Sequence, residues 1–78
     1  MISDDEISYV KKMLRQLPKN KEMLVEEIGD AFKRGVKVQA TPESIEALMR
    51  VAVKLGRAKK GELIEERKKR TPTYTRIV

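Results

Sequence analysis

The stretch RKKRTPTYTRIV, Arg67–Val78, decides how the chain is read. Four consecutive cations precede a proline, and TYTRIV then alternates β-branched or aromatic groups with polar ones. A solvated tail has no reason to finish on a period of two. The pattern predicts a strand that must pair, which makes the basic run the tip of a β-hairpin. GELIEER, Gly61–Arg67, is the candidate first strand. Pro72 suits the tip or an edge, because it has no amide to give to a ladder.

Working back, TPES (Thr41–Ser44) opens a helix, with Thr41 as N-cap and Pro42 at the first helical position. Ile45, Leu48, Met49, Ala52 and Leu55 make its apolar face. The helix ends either at Gly56 or near Lys60, with Gly61 then the stop. VKVQA, Val36–Ala40, is either a short strand or a loop that tucks two valines inward. A second helix is expected from an Asn20 cap to a Gly35 stop, burying Leu24, Ile28, Ala31 and Phe32. The first helix carries a capping-box pattern, Ser3 with Glu6, and an apolar stripe of Ile7, Val10, Leu14 and Leu17 before Pro18.

Seventy-eight residues make a single domain, 1–78, with a small core. The chain contains no cysteine and no histidine. Disulfides, thiol chemistry, the commonest zinc ligands and the commonest general base are therefore excluded. No apolar run approaches the roughly 20 residues of a membrane span. The acidic start MISDDEIS is unlike an export signal, so a cytoplasmic location is expected. Serines occur only at Ser3, Ser8 and Ser44, none beside a plausible base, and no glycine-rich phosphate loop exists. Glu26, Glu27 and Asp30 cluster on helix two, where a solvated face explains them better than a metal ion. The expectation is a non-enzyme without cofactor or metal.

Charge points to an anionic partner. The net charge is +6, and residues 35–78 hold eleven Lys/Arg against five Asp/Glu, while residues 1–34 balance at seven each. On a 100° wheel Arg50, Lys54 and, if the helix continues, Arg57 fall opposite Ile45, Ala52 and Leu55. Long cations with small residues between them suit a major groove. The competing reading is a solvated face. Arg67, Lys68, Lys69 and Arg70 add four adjacent cations that contribute little to folding. They suit phosphates or a minor groove, although edge protection also accounts for Lys and Pro at a hairpin. With only Tyr9, Phe32 and Tyr74 as aromatics, binding led by base stacking is not expected.

The order of three helices, the third basic, then strand, basic loop and strand resembles the winged-helix family of helix-turn-helix domains. TPESIEALMRVAVKL stands as the recognition helix, about residues 42–56. GELIEER, KKRTP and TYTRIV stand as the entering strand, the wing tip and the return strand. The resemblance implies an α+β fold, a three-helix winged helix-turn-helix with a C-terminal β-hairpin wing. Such domains carry a short strand between helices one and two, for which the link LPKN leaves no room. By the resemblance, Ser44, Ala47, Arg50 and Lys54 face the major groove. Lys68, Lys69 and Arg70 in the wing, about residues 67–72, contact backbone or minor groove, and Arg76 lies near phosphate. The expected partner is double-stranded DNA, in a transcriptional or mobile-element regulator. The alternative is a protein-interaction module of the same fold. Tyr9 and Met13, at i and i+4 on helix one, form a candidate exposed patch for a homodimer.

Overall fold

Ser3 is extended, and its Oγ accepts the Glu6 amide hydrogen at 3.2 Å, which starts α1, Asp4–Leu14. Two tighter turns follow: the Gln16 amide donates to the Met13 carbonyl and the Leu17 amide to the Leu14 carbonyl, each at 3.0 Å. They carry Leu17 into the core before Pro18 breaks the run. The computed structural model describes residues 2–64 and 69–78.

The second helix does not begin at Asn20. Asn20 instead sits in the left-handed region, φ +59°, which asparagine tolerates better than most residues. A three-residue strand follows, β1, Glu22–Leu24. Helix α2 then runs Val25–Val36, and Glu27 Oε1 accepts the Leu24 amide hydrogen at 3.1 Å. Gly35 is not its stop. The helix passes through Gly35 and closes at Lys37, φ +55°. Gly35 lies against the Gln16 side chain, whose flexible end would have to shift to admit a Cβ. Residues 37–41 are loop, with Val38 and Ala40 half-buried against the core.

Helix α3, Pro42–Lys54, has the expected start: Thr41 Oγ1 accepts the Ser44 amide hydrogen at 3.2 Å. Its end is settled at Gly56, φ +73°. The Gly56 amide donates to the Val53 carbonyl at 3.0 Å and the Arg57 amide to the Ala52 carbonyl at 2.9 Å. That pair of bonds is a Schellman closure, and glycine is the residue it favours.

Strands β2, Ala58–Ile64, and β3, Arg70–Arg76, pair antiparallel, Ala58 opposite Arg76 and Ile64 opposite Arg70. β1 pairs with the other side of β3, Glu22 opposite Thr75 and Leu24 opposite Thr73, giving the sheet order β1-β3-β2. Pro72 lies one residue beyond the end of β1, where β3 has only β2 beside it. The described residues thus form a small α+β fold of three helices and a three-stranded antiparallel sheet.

Pairing register fixes the two faces of the sheet. Met23, Ala58 and Tyr74 share the face packed on the helices, with Val10, Met13, Leu14, Ile28, Phe32, Ile45 and Met49. Glu22, Leu24, Gly61 and Thr73 share the opposite face. Met13 is 1% exposed, so it belongs to the core and not to a surface patch; Tyr9 remains 48% exposed. The i, i+3 spacing from Val10 carries Met13 inward beside Phe32.

Candidate nucleic-acid interface

The buried positions of α3, Ile45, Met49 and Ala52, define its inner face. A 100° rotation per residue then sets Ala47, Arg50 and Lys54 on the outer face, and all three are exposed. Ala47 is small enough to let a flat or grooved partner approach. Arg50 and Lys54 are one turn apart, so two cations project from a single strip. Glu43 shares the strip at the first turn of the helix.

Ser44 is exposed, but its hydroxyl is occupied. Ser44 Oγ donates to the Thr41 carbonyl at 2.9 Å and accepts from Thr41 Oγ1 at 3.2 Å. It serves the helix cap. Arg57 leaves the strip, because the Schellman closure turns the chain out of the helix before it. Its carbonyl instead accepts the Ile77 amide hydrogen at 3.0 Å.

Arg76 is also not a free cation. Its Nη1 donates to the Leu17 carbonyl and its Nε to the Val78 carbonyl, both at 2.7 Å. The Arg76 carbonyl accepts the Asn20 amide hydrogen at 2.7 Å. Arg76 therefore ties the segment after α1 to the sheet, which gives it a structural role beside the phosphate contact expected of it. No local signal in the sequence marks this role, because Arg76 and Leu17 lie 59 residues apart.

In the hairpin, Lys69 and Arg70 are exposed. Arg67 and Lys68 lie outside the described residues. Sequence reasoning missed Lys59 and Lys60 as hairpin residues, because the sequence permits a helix that runs past Gly56 to Lys60. Once Gly56 ends α3, the alternation from buried Ala58 sets Lys60 and Arg70 on the helix side of the sheet. Both are exposed, so their charges emerge on the same side of the sheet as α3.

Two clefts flank α3. One of about 260 Å³ lies between α1 and α3 and is mostly apolar, with Tyr9, Val10, Met13, Leu48 and Val51 on its walls and Ser44 and Ala47 at its α3 side. The other, of about 520 Å³, lies between α2 and the start of α3, with Glu26, Asp30 and Lys33 on its rim. Among the described residues no group of three or more acidic side chains is arranged to hold a metal ion. No helix among them is long and apolar enough to cross a membrane. No protein family, curated protein or solved structure matches the chain.

Proposed function

We propose that this chain is a winged-helix protein that binds duplex DNA, with α3 in the major groove and the β2–β3 hairpin on the adjoining backbone or minor groove. The observation that carries the proposal is the exposed strip Ala47, Arg50, Lys54 on α3. The winged-helix arrangement calls for a strand between the first two helices, and β1 fits that place. Lys60, Lys69 and Arg70 supply cations on the hairpin. Phosphate contacts from such side chains position a duplex, while Arg50 and Lys54 reach base edges. The role that follows is a small DNA-binding regulator.

The test is fluorescence anisotropy with a labelled random-sequence duplex, titrated over salt, against single-stranded DNA and duplex RNA of equal length. With ~5–6 phosphate contacts the log–log slope is about −5. A flat salt response, or equal affinity for all three nucleic acids, overturns the reading.

The apolar cleft between α1 and α3 favours a second reading, a protein-interaction module. Ala47 borders both the cleft and the cationic strip, so substituting it does not separate the two functions. Arg50 and Lys54 do, because neither lines the cleft.

A further inference from the structure

We propose that α1 is a self-association surface: two copies of this chain pack their first helices antiparallel about a two-fold axis at Tyr9. Each tyrosine ring then seats in the apolar cleft between α1 and α3 of the other copy. This inference stands apart from the DNA-binding reading and is tested without nucleic acid.

Tyr9 is the starting observation. Among the described residues the exposed large hydrophobic side chains are Tyr9, Leu63, Ile64 and Val78. Leu63 and Ile64 belong to the hairpin and Val78 follows β3, so Tyr9 alone stands on the helices. It lies at the cleft of about 260 Å³ whose apolar walls include Leu48 and Val51, both half-buried. Because Tyr9 itself borders the cleft, a second copy that meets it there brings its own ring to the same place.

The charges on α1 name the occupant. On the helical wheel Asp5 and Lys12 flank Tyr9, about one turn to either side, and all three are exposed. Asp5 and Lys12 are separated by about 10 Å of helical rise, too far to pair with each other along one face. In an antiparallel pair with Tyr9 on the axis, Asp5 of each copy meets Lys12 of the other. A two-fold contact requires a self-complementary patch of this kind. A parallel pair would set Asp5 against Asp5. The rest of α1 keeps the same polarity, with Asp4 and Glu6 in the first turn and Lys11 and Arg15 at the other end. Arg50 and Lys54 are not among the residues that line the cleft, whereas Ala47 is.

Sedimentation velocity of the full chain, over a roughly hundredfold concentration range, is the test. The expected result is a monomer that converts to a dimer as concentration rises. Tyr9→Ser, Asp5→Lys and Lys12→Asp should each raise the dissociation constant by about tenfold or more. The double variant Asp5→Lys/Lys12→Asp should recover most of that loss. The recovery separates pairing between copies from helix stability, because both reversals oppose the helix dipole and together make the isolated helix weaker. Circular dichroism on each variant checks that the fold persists. Should one single reversal fail to fold, Tyr9→Ser and the double variant still decide. A monomer at every concentration, a species larger than a dimer, or a double variant no better than the singles overturns the proposal.

Discussion

Thr73 donates its hydroxyl hydrogen to Glu22 Oε2 at 2.7 Å, a bond between residues 51 apart in the chain. It lies on the sheet face turned away from the helices, with Gly61 directly across from Thr73 in the register. Glycine is needed there because a Cβ would stand 2.9 Å from Thr73 Oγ1 and 3.1 Å from Glu22 Oε2.

Gly61→Ala should therefore lower the free energy of unfolding by about 1–2 kcal/mol through crowding of this bond. Thr73→Val keeps the shape and removes the donor; with Glu22 exposed and able to rehydrate, the cost should be about 1 kcal/mol. Urea unfolding measures both. A Gly61→Ala variant as stable as the parent would show that the sheet face accommodates a methyl group.

The ends of α2 and α3 make opposite predictions in one backbone region. Lys37, φ +55°, carries a side chain where glycine is preferred, so Lys37→Gly should stabilise by about 0.5–1 kcal/mol. Gly56, φ +73°, has open space where a methyl group would stand but the same backbone demand, so Gly56→Ala should cost about 1 kcal/mol. Thermal and urea melts that move both variants in the same direction would contradict this account.

The hydrogen bonds of Arg76 predict a role in stability and not in DNA affinity. Arg76→Ala should destabilise by about 1–2 kcal/mol, since the buried end of its bond to the Leu17 carbonyl loses its partner. The salt slope of DNA binding should not change, provided it is measured where the variant is folded. A slope shallower by about 0.9 would return Arg76 to the phosphate-contacting set.

Arg50→Ala and Lys54→Ala should weaken duplex binding and alter preference among sequences, whereas Lys60→Ala should weaken binding to all sequences alike. A variant that no longer reaches one phosphate should have a salt slope shallower by about 0.9. Binding to a small panel of duplexes at two salt concentrations distinguishes these patterns.

Tyr74 is 1% exposed, and its hydroxyl has no hydrogen-bond partner among the described residues. Removing an unsatisfied buried hydroxyl relieves its desolvation cost, so Tyr74→Phe should hold or raise stability by up to about 1 kcal/mol. A clear loss in urea unfolding would mean that the hydroxyl has a bond of its own.

The caps of α1 and α3 were legible because Ser3, Thr41 and Pro42 act through local geometry, and local geometry is written in neighbouring residues. The hairpin was legible for a related reason, its period of two. β1 was not. Three residues are too few to establish a period, and Asn20 offered a good helix cap while the chain used its tolerance of positive φ. Only the pairing of Met23 with Tyr74, far along the chain, makes that stretch a strand. Gly35 misled because the helix passes through it and takes its left-handed cap at Lys37. The outer strip of α3 followed from periodicity alone. Arg76 did not, because its partner Leu17 is brought near only by the finished fold.

β1 has a kinetic consequence. The helices and the β2–β3 hairpin are assembled from neighbours in the chain, and such contacts form quickly. Docking Glu22–Leu24 on Thr73–Thr75 closes a loop that encompasses α2, α3 and β2. The Arg76 bond to the Leu17 carbonyl, between residues 59 apart, closes a still longer loop, and both closures carry a loop-entropy cost. Substitutions at Met23, in the shortest strand, should therefore slow folding according to how much of that pairing is present at the barrier.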